Sequence, residues 1–339
     1  MRITTISFFL VISCISWVLL DGFILRNYIS LIPLLFAIQI FLNDFLESYL
    51  FMSVRGRLFS FLIAPGTIMH EISHYVAAKL MGCKITRISL FHTDSTMGTL
   101  GSVEYRYKEN MLSPIKSLII GFAPFFGCGL ILIALFNFYY LNTEGNFLTA
   151  EIVNVDNMQE IKDSFVLIIE SFYSQFLKID SLRPLFIIVL YLQICLGLGV
   201  APSSTDFKGS LKSLIRHPIG TLILIILLIA LVFLTEKSMM LGDYGSILSV
   251  NIILTMKWIV LLSLVSISLL IASIPFIFIG IKFLENSWAF RLISLLLCIS
   301  VYMLSRDIKV AGLIFILAIL LPRYSGIFLK KRRDSLGGK

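Results

Sequence analysis

At 339 residues, 58% of them hydrophobic and only 14% charged, with a mean hydropathy of +0.95, the chain lacks the polar surface of a water-soluble domain, where about 25% charged residues is usual. Lipid must cover most of the fold. The net charge of +8 falls in short loops and in the tail Lys330-Lys331-Arg332-Arg333, a placement that suits membrane topology and anionic headgroups and argues against nucleic acid as a partner.

In chain order, residues 4–22, 28–46, 58–82, 112–140, 184–202, 218–235, 252–280, 288–304 and 308–323 are the apolar runs that approach the ~20 residues a spanning helix needs. The last two are short, so the expectation is an all-α polytopic membrane protein with eight or nine spans. Met1–Leu20 has one Arg before its apolar run and lacks a small-x-small cleavage site, which reads as a retained first span rather than a signal peptide. Cys14, Cys83, Cys128, Cys195 and Cys298 show no paired spacing, and no disulfide framework is implied.

Loop charges orient the spans. Lys84, Arg87, Arg106 and Lys108 in residues 83–111, and Lys208, Lys212 and Arg216 in 203–217, place both loops in the cytoplasm with the basic tail. Residues 141–183 carry Glu144, Glu151, Asp156, Glu160, Asp163, Glu170 and Asp180 with few basic residues, and read as external. The third span then runs inward, the fourth outward and the fifth inward. The chain divides into an N-terminal transmembrane hairpin (1–57), a core (58–212), a C-terminal transmembrane bundle (218–323) and a basic tail (324–339). A multi-pass protein of the plasma membrane with a cytoplasmic C-terminus is expected.

One segment departs from helix. Val103, Tyr105 and Tyr107 alternate with Glu104, Arg106 and Lys108, and a Gly-containing polar loop separates this run from Lys84–Phe91, so 84–107 is predicted to be a small cytoplasmic β-hairpin.

The third span reads Pro65-Gly66-Thr67-Ile68-Met69-His70-Glu71-Ile72-Ser73-His74. Four residues apart on a helix, His70 and His74 project from one face and can reach one metal ion. Glu71, next to the first ligand, can take the proton of a metal-bound water, which is the arrangement for zinc-assisted hydrolysis. Ionisable residues in a span are costly unless they face a partner or a wet cavity. A third donor must come from elsewhere. Asp206 lies at the inner end of the fifth span, in a Pro-containing stretch read as non-helical; His92 or Asp94 in the hairpin loop is the rival, and His217 reads as an ordinary loop residue.

An inward span with His-Glu-x-x-His, a cytoplasmic hairpin, an outward Gly/Pro-containing span and an inward span ending in Asp resembles the site-2 protease family of intramembrane zinc proteases, over roughly residues 58–212. The resemblance implies Zn²⁺ held by His70, His74 and Asp206, Glu71 as the base, and transmembrane segments of membrane proteins as substrates. It departs from the family where Phe207-Lys208-Gly209 follows the Asp in place of an immediate Gly. The amides of the middle and third core spans are also missing, with Gln193 the nearest.

Pro65 and Gly66 are expected to open the motif helix, Gly197 and Gly199 to let the fifth span approach it, and the hairpin edge to accept an unwound substrate as an added strand. Two other classes stand beside this reading. A prenyl-protein type of membrane zinc endopeptidase would take its third ligand from Glu104, Glu109 or Glu285, and a carrier or scaffold would use the histidines for structure alone.

Overall fold

The computed structural model describes residues 2–52, 56–91, 100–141, 149–150, 153, 155, 157–177, 184–238, 243–305 and 308–320. The predicted spans all fall on helices: α1 (Arg2–Leu19), α2 (Arg26–Met52), α3 (Gly56–Leu80), α4 (Ser113–Leu141), α6 (Pro184–Val200), α8 (Pro218–Ser238), α9 (Asp243–Glu285), α10 (Trp288–Ser305) and α11 (Ile308–Leu320). Two further helices occupy segments read as loops, α5 (Met158–Leu177) and α7 (Ser204–Arg216).

Among the described residues, six helical stretches are long and apolar enough to cross a bilayer: Arg26–Tyr49, Ser113–Phe138, Ile188–Arg216, Pro218–Ser238, Ile247–Glu285 and Trp288–Ser305. The chain is therefore an α-helical membrane protein, but this count is lower than the eight or nine expected. Ile3–Leu19 and Val310–Ile319 fall short of a full crossing length. The motif helix α3 is diluted by His70, Glu71, His74 and Lys79.

Helices α3, α4 and α6 pack against one another, and α2 and α9 close around them. The main core is built from large side chains of α2, α4, α6 and α9. Phe36 of α2 meets the rings of Phe122 and Phe125 at 4.9 and 5.0 Å. In lipid such contacts stabilise through close packing, since the tails are as apolar as the side chains.

The hairpin forms as expected, from β1 (Lys84–Ser89) and β2 (Ser102–Arg106), antiparallel, with Ile85 opposite Tyr105 and Ile88 opposite Val103. It follows α3 directly because of how that helix ends. Gly82 adopts φ +71°, and Cys83 N–H reaches back to the Ala78 carbonyl at 2.8 Å, the reversal that a left-handed glycine permits. Cys83, Ala78 and Ile120 then pack with Ile85 and Tyr105, pinning the hairpin to the ends of α3 and α4.

Candidate metal centre

Three side chains from two distant parts of the chain meet inside the bundle. His74 Nε2 lies 3.2 Å from His70 Nε2 and 3.1 Å from Asp206 Oδ1, and His70 Nε2 lies 3.4 Å from Asp206 Oδ2. A tetrahedral site with bonds of 2.0–2.1 Å has ligand-to-ligand edges of about 3.3 Å. The triangle has those dimensions, and the three residues can hold one metal ion.

The hydrogen bonds around the two rings show what a cation would satisfy there. His70 Nδ1–H donates to the Gly199 carbonyl at 2.8 Å, and His74 Nδ1–H donates to the Ile120 carbonyl at 2.8 Å. With the proton on Nδ1, each neutral imidazole aims an Nε2 lone pair at the centre, where a carboxylate also arrives. Three acceptors converging in a mostly buried space repel unless a positive charge joins them. A proton can lie between only two of them, whereas a metal ion satisfies all three, and outer hydrogen bonds of this kind are what orient histidine ligands.

Local sequence sets each ligand. His70 and His74 are one turn apart on α3, which runs unbroken through Pro65; the helix opening expected at Pro65-Gly66 is absent. Gly66 serves another purpose. A Cβ there would lie 1.8 Å from the Cys195 carbonyl oxygen, and a Cβ at Gly199 would lie 2.6 Å from the Gly66 oxygen. This close approach of α3 and α6, expected of Gly199, brings the Gly199 carbonyl within reach of His70. Gly197 is used differently, against Leu269 of α9.

Asp206 is not on a non-helical stretch, as expected from its neighbouring proline. The break is confined to Ala201–Ser203, and Asp206 is the third residue of α7. Ser203 caps that helix. Its backbone N–H donates to Asp206 Oδ2 at 2.7 Å, while its Oγ accepts from Asp206 N–H at 3.3 Å. A capping box thus holds the carboxylate whose other oxygen faces His74. Phe207, the next residue, is buried between the rings of Phe9 and Phe122 at 5.0 and 4.7 Å and fixes the roll of α7.

Glu71, 6% exposed, lines the same cavity of about 290 Å³ as the three ligands. The chain entering β2 lies against it: a Cβ on Gly101 would come within 2.6 Å of Glu71 Cγ and 2.9 Å of its Oε1. Ser102, Val103 and Tyr105 complete that wall. Burial pushes the Tyr105 phenol up to about 12, so it enters the cavity uncharged.

The other candidates are placed elsewhere. Glu109 pairs with Arg216 at 3.6 Å and, at 3.8 Å, with His217. Glu285 pairs with Lys282, and Glu104 is exposed on β2. His92 and Asp94 lie outside the described residues. Gln193 is wholly buried on α6 and does not line the cavity. Asn43 and Glu47 of α2, which do line it, were not foreseen. Their signal was in the sequence, as polar residues one turn apart in the apolar run Phe41-Leu42-Asn43-Asp44-Phe45-Leu46-Glu47.

No family model matches the chain, nor does any curated protein or solved structure.

Proposed function

We propose that this protein is an intramembrane zinc metalloprotease, a divergent relative of the site-2 proteases, that hydrolyses peptide bonds in or near the transmembrane segments of membrane proteins. The observation that carries the reading is the pairing of a prepared ligand triangle with a carboxylate one residue from its first ligand. His70, His74 and Asp206 converge as described, and Glu71 opens onto the same cavity. Two imidazoles and one carboxylate are a donor set that suits zinc, and three protein donors leave a position for catalysis.

Zinc bound there supplies a Lewis acid that polarises a carbonyl and makes water acidic enough to attack near neutral pH. The residues of the chain do the rest. His70 and His74 are held in one tautomer by the Gly199 and Ile120 carbonyls, so no reorganisation is needed when the site is loaded. Glu71 takes the proton of the attacking water and passes it to the departing amine nitrogen. The hairpin, with an outer edge on each strand, can receive an unwound substrate by strand addition. The basic loops and tail support a cytoplasmic C-terminus, and the plasma membrane is the setting proposed.

The test is to purify wild type and Glu71→Gln, measure zinc in each, and incubate both with a panel of single-span peptides. Zinc retained in both, with cleavage in wild type alone, supports the protease. Zinc without cleavage by either protein supports a structural or carrier role instead.

A further inference from the structure

One wall of the metal cavity comes from outside α3 and α7, the two helices that carry the ligands. On α2, Asn43, Leu46 and Glu47 line the same space as His70, Glu71 and Asp206. Asn43 is 6% exposed, and what exposure it has is onto this cavity. Among the described residues no hydrogen bond reaches its carboxamide. Its amide atoms are not sealed in the bundle but open onto the cavity, where a polar group can pair with them.

The chemistry of the missing partner follows from the group. A carboxamide offers two donors and one acceptor, the complement of a peptide unit, which presents one N–H and one carbonyl. An unwound substrate brings such units into an apolar space where their own helical bonds are broken, and they need replacements there. Gln193, the other buried amide near the site, cannot serve, because it is sealed in the bundle with neither amide atom paired and away from the cavity wall. Glu47, one turn along α2, adds an acceptor to the same wall but no donor.

We infer that Asn43 is a substrate-binding residue: its carboxamide hydrogen-bonds the backbone of the peptide segment beside the scissile bond, so that α2 forms part of the substrate cleft. This rests on the proteolytic reading. It makes α2 a working part of the site, and it assigns main-chain recognition to a residue outside the zinc ligand set.

The test uses a fluorophore-labelled single-span peptide that the zinc-loaded wild type cleaves. Its Kd is measured in micelles for Glu71→Gln, for Glu71→Gln with Asn43→Ala, and for Glu71→Gln with the isosteric Asn43→Asp. Zinc content and melting temperature are read in parallel. Losing the paired amide should weaken binding about tenfold in both double variants with zinc retained. In the active background Asn43→Ala should raise KM more than it lowers kcat. Unchanged Kd in both variants overturns the inference while leaving the protease intact, and so does loss of zinc in both. A zinc-loaded wild type that neither binds nor cuts any peptide removes the proteolytic reading and this inference with it.

Discussion

His70 Nδ1–H donates to the Gly199 carbonyl at 2.8 Å, and this bond ties the motif helix to the helix that leads into Asp206. It exists because neither Gly66 nor Gly199 has a side chain to separate the two backbones. Metal affinity should therefore depend on glycines that touch no metal.

Gly199→Ala places a Cβ 2.6 Å from the Gly66 oxygen, so α6 must move away and take its carbonyl from His70. Loss of an outer hydrogen bond of this type weakens metal affinity about 10- to 100-fold. Competition against a chromophoric chelator measures it. Gly312→Ala, whose Cβ meets nothing within 4 Å, is the control and should bind metal as wild type does.

Asp206→Ala should abolish stoichiometric zinc binding, whereas Glu285→Ala should leave it unchanged, because Glu285 is engaged with Lys282. Metal analysis of the two purified variants decides it. Zinc retained without Asp206 would send the search for a third ligand to the hairpin loop.

Gly101→Ala acts on the base and spares the ligands. The added methyl meets Glu71 Cγ at 2.6 Å and must displace its carboxylate. A shift of about 1 Å at a reacting group costs on the order of a hundredfold in rate. Zinc content should stay at the wild-type value while kcat for peptide cleavage falls.

Ser203 has two roles that two substitutions separate. Ser203→Ala removes the hydroxyl cap and should cost about 1 kcal/mol of stability, with metal affinity little changed, since the backbone N–H still holds Asp206 Oδ2. Ser203→Pro removes that N–H and should weaken metal binding about 10- to 100-fold. Thermal melting reads the first effect and metal titration the second.

Much of the centre was legible in the chain. The helical repeat alone put His70 and His74 on one face, and the alternation at Val103, Tyr105 and Tyr107 gave the hairpin with its strands in place. Less legible was α7. Its Lys208, Lys212 and Arg216 read as loop charges, yet they recur at helical spacing on the exposed side of a helix whose other face buries Phe207, Ser210 and Ser213. The nearby proline masked the capping box, since Ser203 and Asp206 announce a helix start only when read as a pair.

The sequence by itself determined the membrane setting, the apolar helices and the two-histidine face, because hydropathy and the 3.6-residue period are local properties that each segment carries alone. Tertiary structure decided which carboxylate completes the triangle, which backbone carbonyls fix the imidazoles, that Gly101 lies on Glu71, and that Asn43 faces the cavity. Those facts depend on the relative depth and rotation of packed helices. Small residues and facing side chains from different spans set these jointly, and no single stretch of chain records them.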